Sequence, residues 1–500
     1  MSSGESHDIT SALKEISIGG ITIILGQIAG MALKFISEIA IARFSSVKTY
    51  GVVWLGFSVL TILGIISISG MDTGVARLLP SEDETGQTNL LFSSLLYVLS
   101  TSLVLVGLGY VVGPSFIEWA GLSLRFEEIA PFLLVLPFFG LFKVFVGSTR
   151  GFSQPRWKVY TMNLLIPVSR LIFVLTISLF AVGAVWYSAA YVLPFVLAAV
   201  LGVILLSSTV KSWTLPELRT DLYRFSFPLV VLGLSTTLMS TVDNLLLGYF
   251  TSTAEVGIYN AAFVLSGLAM LLMNSVGFLF MPVISKMADK EQIDELKYIY
   301  QLATKNILYF SLPVILILVL VPDAVIGSLY GQDYTTAAMA LQILAIGYFI
   351  NIIFGRNGDI LLAMQHNVLT SMNSVIGLAV NLVLNLLLIP KFGAIGAAFA
   401  TTASMAFINT ISVIEGYYMY QIHPFHVQLK YTPLHILPLG GIIWASKQYL
   451  NFSITNLIIL GTICILINIL LLWTRDYYDA TEMNIIYSFY EHAISMFKGR

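Results

Sequence analysis

The sequence predicts an all-α integral membrane protein with about fourteen transmembrane helices, and three observations predict it. Hydrophobic residues make up 57% of the 500 positions and charged residues 10%, with a mean hydropathy of +0.88. So little charge cannot cover a water-exposed surface of this size. The apolar residues fall in blocks of about 20, the length that crosses the hydrocarbon core as a helix. The connectors between blocks are short, and a barrel of strands would need short alternating segments instead.

The blocks run 15–42, 49–71, 89–112, 129–150, 158–181, 183–207, 223–250, 256–285, 303–328, 335–364, 367–389, 394–422, 432–450 and 454–474. The first is too long for a signal-peptide core, which predicts a retained first span. Lys and Arg orient the chain. With the N-terminus inside, sixteen fall on inner segments and five (Arg43, Lys48, Arg125, Lys391 and Lys447) on outer ones. Lys34, Lys143, Arg170 and Arg356 remain within spans. An even number of spans returns the C-terminus to the same side. Both termini are therefore expected in the cytoplasm, and the chain in the cytoplasmic membrane.

The chain repeats itself. Ala42-Arg43-Phe44-Ser45-Ser46 leads to Tyr50-Gly51-Val52, and Gly248-Tyr249-Phe250-Thr251-Ser252 leads to Val256-Gly257-Ile258. Thr161-Met162-Asn163 matches Ser371-Met372-Asn373, and Gly183-Ala184-Val185 matches Gly393-Ala394-Ile395. Three matches in order, at equivalent points of the span pattern, indicate duplication. Six spans per half place the halves in one orientation, related by an axis along the membrane normal. The expected division is an N-terminal lobe at 1–206, a C-terminal lobe at 207–422, extra spans at 423–474 and a cytoplasmic amphipathic tail at 475–500. Residues 289–305 place Ile293, Leu296, Tyr300 and Ala303 on one face, which predicts an interfacial elbow helix.

Several function classes are excluded. Cys464 is the only cysteine, so there is no disulfide framework or cysteine metal site. The six histidines show no HExxH spacing, and no metal is expected. Neither a phosphate-binding P-loop nor a dinucleotide fingerprint occurs, so no cofactor is expected and ATP is not expected as an internal energy source. The net charge of −2 gives no sign of nucleic acid. The acidic run Ser81–Thr85 reads as a solvated connector, and the sequon Asn451-Phe452-Ser453 is a weak glycosylation signal.

The stretches "IARFSSVKTYGVVWLGFSVL", "TVDNLLLGYFTSTAEVGIYNAA" and "LIPKFGAIGAAFATTAS" resemble the polysaccharide-type flippases of the multidrug/oligosaccharidyl-lipid/polysaccharide (MOP) exporter superfamily. The resemblance implies two six-helix lobes in a V around a central cavity, with two extra helices. It also implies alternating access carrying an undecaprenyl- or dolichol-linked oligosaccharide. Membrane lipids are expected partners, and glycosyltransferases of the same pathway are candidate ones.

Such a cargo carries a phosphate or pyrophosphate, which must be met by cations or helix N-termini. An ionisable residue within a span costs roughly 2.5–3.5 kcal/mol and is a functional candidate by default. Lys34 and Glu38 share a face of span 1 and can pair as i,i+4 neighbours, either at a phosphate or as a structural pair. Arg170 lies mid-span in span 5 and is expected at the cavity or against a buried acid. Arg356 sits in "FGRNGD" beside Asn357 and Asp359, where glycines loosen the helix. A local Arg–Asp pair is the competing reading there. Lys34, Glu38, Arg170, Arg356 and Asn357 are thus the candidate substrate-binding residues. Lys143 reads as snorkelling to the inner interface, Arg150 as interfacial and Asp72 as a helix-end group. Asp243 and Asn244 occupy the repeat position of Ser37 and Glu38. The resembling flippases often have Asp there, and a carboxylate beside amides suits Na⁺ or a proton, with helix packing as the alternative. Asn260, Asn274, Asn381 and Asn385 read as interhelical hydrogen-bond partners or cavity lining.

Three rival readings stand beside the flippase. A cation-coupled multidrug or metabolite antiporter of the same superfamily would usually have twelve spans. A lipid II flippase differs only in cargo. A multispan glycan polymerase or glycosyltransferase would carry a large acidic outer loop, and the first outer loop here has no acid, so an enzyme is not expected. The orientation is checked by single cysteines at Ser45, Thr251 and Asn451 in a Cys464→Ala background. These should react with an impermeant outside thiol reagent, and labelling at Glu84 and Lys290 instead reverses the topology.

Overall fold

The computed structural model describes residues 26–473 except 28, 181, 210–218, 228, 450 and 451. The expected tail at 475–500 and residues 210–218 of the polar joint between the halves, Ser207–Arg224, lie outside the described residues. Among the described residues there is no strand, and each of the fourteen apolar blocks is helical. Ten helices there are long and apolar enough to cross a membrane. One of them, Asn367–Tyr420, holds spans 11 and 12. It has 54 residues and breaks at Gly393 (φ 53°, ψ −131°), just after Pro390, which has no N–H to give the helix.

The chain packs as two compact units. The first comprises Met1–Val264 and Leu378–Ala400, and the second Leu265–Gly377 and Thr401–Arg500. These packing units cross the repeat boundary near residue 206, so packing and repeat divide the chain differently.

In the first unit, span 2 is Val47–Ile68, started by Ser46, whose hydroxyl accepts from the Thr49 N–H. It ends on Ser69 in the left-handed region (φ 46°). Span 3, Glu84–Trp119, has 36 residues, about 54 Å at 1.5 Å per residue and far beyond a ~30 Å core. Leu103, Val104 and Val111 are exposed on it, while Leu108, Val112 and Phe116 line a cavity of about 700 Å³ shared with spans 2, 4 and 7. Span 4, Phe126–Gly151, is interrupted at Val135, just ahead of Pro137. Span 6 is Ala184–Thr209 and span 7 Leu229–Phe250.

The repeat-related glycines meet. A methyl group on Gly51 would collide with the Thr253 carbonyl oxygen and lie 2.9 Å from the Gly257 nitrogen. One on Gly257 would collide with the Val47 carbonyl oxygen and lie 3.2 Å from the Gly51 nitrogen. The first turns of Val47–Ile68 and Thr253–Ser266 therefore cross backbone to backbone, which only glycine permits. At the same end, Glu255 accepts the Ala394 N–H at 2.9 Å and caps the helix that restarts after Gly393.

At the other end of this unit the acidic run is not simply solvated. Arg219 clasps Glu82 with both terminal nitrogens, at 2.9 and 2.7 Å, and reaches Asp221 at 2.9 and 2.7 Å. Hydrogen bonds from Arg219 hold the Asp221 carboxyl below the usual carboxylate range. Ser93 accepts the Arg219 N–H at 3.0 Å, so the joint is tied to span 3.

In the second unit, 289–305 forms no separate element. Its residues run into one continuous helix, Ile293–Leu320. Leu296 and Tyr300 pack with Phe280, Ile284, Ile360 and Ile422, so the apolar stripe is covered by protein. Tyr300 donates to the Phe354 carbonyl at 2.6 Å, one of the groups freed where span 10 breaks. The extra spans, Thr432–Tyr449 and Ile454–Trp473, dock through a buried polar chain. Asn468 donates to the Tyr309 carbonyl at 2.8 Å and meets His435 Nδ1 at 3.0 Å. Lys305 donates to Gln428 at 2.8 Å.

The glycine crossing predicts that Gly51→Ala destabilises by about 1–3 kcal/mol, the usual cost of overpacking. Gly107→Ala, at a position with open space around it, should be neutral or stabilising. Thermal unfolding in detergent reads both, and equal responses would contradict the close crossing.

Candidate anion-binding site

The site is assembled from spans 1, 2, 4, 5 and 6 of the first unit. Residues 29–44 of span 1 are helical, and Gly26, Gly30, Lys34 and Glu38 recur every four residues, so they share a face. Gly26 lies against Val159, and a Cβ on Gly30 would come 2.7 Å from that of Asn163. The glycines thus bring span 1 onto span 5 and carry Lys34 and Glu38 to it. Span 5, Pro155–Ser178, contains a π-helical stretch, Val159–Leu165. Pro167 cannot donate to the Asn163 carbonyl, and the wider turn absorbs that break. The extra residue per turn changes which side chains face inward.

The result is a cavity of about 450 Å³, lined among others by Gln27, Lys34, Phe57, Lys143, Lys158, Asn163, Arg170 and Tyr191. Four cations line it. Lys34, Lys143 and Lys158 have no ion-pair partner among the described residues. Lys34 is exposed and Lys158 half-buried. Lys143 also lines an adjoining cavity of about 230 Å³ that contains Asp72, and its ammonium sits 5.4 Å from the Phe139 ring.

Arg170 is 3% exposed. Its Nη1 lies 3.5 Å from Glu38 Oε1, and its guanidinium stacks 3.7 Å from the Tyr191 ring centroid. Glu38 also accepts from the hydroxyls of Tyr191 (3.1 Å) and Tyr50 (3.5 Å). The ion pair of Glu38 is thus with Arg170, 132 positions away, and not with its i,i+4 neighbour Lys34. A guanidinium brought up by span 5 and fixed by Tyr191 has the better geometry.

Arg356 and Asn357 belong to the second unit and are not among the residues that line this cavity. The helix breaks at Gly355 (φ 61°), as the glycines suggested. Arg356 forms a very short ion pair with Asp359 and donates to the Met273 carbonyl at 3.3 Å. Its guanidinium lies where a Cβ on Gly277 would be. Asn357 donates to Asn409 Oδ1 at 2.9 Å.

Asp243 and Asn244 form a separate buried cluster in the first unit. Asp243 accepts from Tyr259 and from Asn385, each at 2.6 Å. Asn385 also reaches Asn381 Oδ1 at 3.0 Å. Asn244 accepts from Asn260 at 2.7 Å and donates to Ser58 at 3.1 Å. Among the described residues, no group of three or more His, Cys, Asp or Glu is placed to hold a metal ion.

Sequence reasoning missed Lys143 and Lys158 as lining residues, because both lie near span ends where snorkelling explains a lysine. It also passed over Tyr191, whose aromatic ring in an apolar span carries no signal of its own.

Comparison with known proteins agrees with this architecture. The family described as "Polysaccharide biosynthesis protein" matches residues 18–288, more than half of the chain, and the MatE family matches residues 228–387. The chain belongs to the polysaccharide biosynthesis protein family. It is similar to the probable low-salt glycan biosynthesis flippase Agl15 of Haloferax volcanii, with 24% identity over 88% of this chain and 91% of that one. The probable flippase AglR of the same organism is 29% identical over 35% of this chain and 37% of its own length. Among solved structures, the lipid II flippase MurJ in an inward closed conformation superposes with a TM-score of 0.75 at 14% identity, covering 91% of this chain and 99% of that chain. An inward-facing MATE multidrug transporter of the MOP superfamily gives 0.65 at 14%, covering 78% and 94%. These likenesses establish a multispan MOP-type fold.

Proposed function

We propose that the chain flips a lipid-linked oligosaccharide, a polyprenyl- or dolichyl-phosphate or -pyrophosphate glycan, across the cytoplasmic membrane. It does so by alternating access, for cell-surface polysaccharide or glycoprotein biosynthesis. It is a membrane transporter of a flippase family, not an enzyme, and glycosyltransferases of the same pathway supply its cargo. The observation that carries this reading is the cavity lined by Lys34, Lys143, Lys158 and Arg170 within apolar helices. Cations within spans are costly, so uncompensated ones point to an anionic ligand. A positive lining disfavours the cationic cargo of a drug antiporter. Lys34 supplies a point charge and Arg170 an edge able to form parallel hydrogen bonds to phosphate oxygens.

In this reading Arg356 and Asn357 are secondary. Asp359 already offsets the Arg356 charge, which makes Arg356 a support for the break in span 10. The coupling cation, Na⁺ or a proton, is assigned to Asp243 and Asn244, with Asn381 and Asn385 beside them. The Oδ1 of Asn385 has no donor among the described residues. Carbonyl and carboxylate oxygens are the donor set a hard cation takes.

Reconstituted vesicles with a fluorescent lipid-linked oligosaccharide test both parts. Arg170→Gln and Lys34→Gln should each slow flipping at least tenfold, while Arg356→Gln chiefly lowers thermal stability. Asp243→Asn should remove the response of flipping to an imposed Na⁺ or proton gradient. Wild-type rates in both Arg170→Gln and Lys34→Gln would overturn the phosphate site. A gradient response retained by Asp243→Asn would overturn the coupling site.

A further inference from the structure

The geometry points to Tyr191 and Glu38 as positioning residues that hold Arg170 with one guanidinium edge kept free for an oxyanion. This rests on the anion-binding reading of the cavity and specifies how it is built. Among the arginine–carboxylate pairs described in the same unit, those of Arg219 and Arg170 differ. Arg219 meets Glu82 through two parallel contacts at 2.9 and 2.7 Å, the geometry of a neutralising clasp. Arg170 meets Glu38 through a single 3.5 Å contact, although it is far more buried than Arg219. A buried guanidinium whose function was only to neutralise Glu38 would be expected to close on it.

Tyr191 and Tyr50 explain the difference. Glu38 divides its oxygens among three donors. Oε1 receives Tyr191 and Arg170, and Oε2 receives Tyr50. The carboxylate is thereby anchored by the two tyrosines and presents one oxygen to one corner of Arg170. The ring of Tyr191 covers the guanidinium face at 3.7 Å, and Phe195 lies 5.9 Å from it. Tyr191 is itself fixed edge-on by Phe57 at 5.4 Å. One face and one corner of the guanidinium are thus taken. Nε is buried and meets no acceptor among the described residues, while Arg170 lines the cavity. A buried donor left without an acceptor is costly, and a phosphate oxygen in the cavity would satisfy it. Tyr191 orients the plane, Glu38 fixes the rotation, and the edge bearing Nε is left for the anion.

The test is inorganic pyrophosphate binding to the purified full-length chain, followed by titration calorimetry at low ionic strength, with thermal unfolding as the folding control. Tyr191→Leu removes the stacked ring and should weaken binding about tenfold, the scale of a desolvated cation–π contact. Tyr191→Phe keeps the ring and should change binding less than about threefold. Glu38→Gln keeps an acceptor oxygen but removes the negative charge beside the anion, and should bind more tightly than wild type. A loss confined to Tyr191→Leu with unchanged folding supports positioning. Wild-type binding in Tyr191→Leu, equal loss in both Tyr191 variants, weaker binding by Glu38→Gln, or no saturable binding by the wild type would overturn it. The flippase reading fails separately, if the wild type binds pyrophosphate but moves no lipid-linked oligosaccharide in vesicles.

Discussion

A charge within the hydrocarbon layer must be compensated by protein or serve a ligand, and the rest of this structure is arranged around that constraint. The chain treats the cations within its spans in different ways. Arg356 is matched by Asp359 and a backbone carbonyl. Lys305, fully buried, reaches Gln428 and ties span 9 to the extra spans. Lys34, Lys143 and Lys158 converge on one cavity, with Arg170 held at its wall by Tyr191 and Glu38. Their convergence depends on backbone devices: glycines that bring span 1 close, and a π turn ahead of Pro167 that reorients span 5. Removing either device would leave the cations in place in the sequence but no longer gathered.

The two halves handle their repeat-related carboxylates in contrasting ways. Glu38 and Asp243 sit at neighbouring repeat positions, and each accepts a tyrosine hydroxyl from the next span, Tyr50 and Tyr259 respectively. Beyond that they diverge. Glu38 is drawn toward a guanidinium, and Asp243 toward the amide of Asn385. Neighbouring positions of the repeat thus carry a carboxylate beside a guanidinium in one place and a carboxylate among amides in the other. Gly51 and Gly257, which the repeat alignment matches, also lie against each other.

The helical membrane fold was legible because hydropathy over 20 residues is a local property. Lys34, Glu38, Arg170 and Asp243 were legible because an ionisable group in an apolar span stands out. What was not legible depended on packing between distant segments. Nothing local says that Glu38 takes Arg170 rather than Lys34 as its ion-pair partner, or that Glu82 meets Arg219. Lys143 and Lys158 were hidden because a lysine near a helix end has an ordinary explanation. The π turn shifts the register of span 5, so helical periodicity alone misplaces its inward face. The elbow at 289–305 was read as interfacial from its apolar stripe, and the partners that cover that stripe come from Phe280, Ile360 and Ile422, well outside the window.

The central claim is that the phosphate of the cargo binds in the first unit, at the cavity of Lys34 and Arg170. An electron cryomicroscopy map of the full chain with a bound lipid-linked oligosaccharide tests it most directly. The account predicts phosphate density within hydrogen-bonding distance of Arg170 and Lys34, with the Tyr191 ring still stacked on the guanidinium. Phosphate density at Arg356, or anywhere that leaves this cavity without ligand, would contradict it.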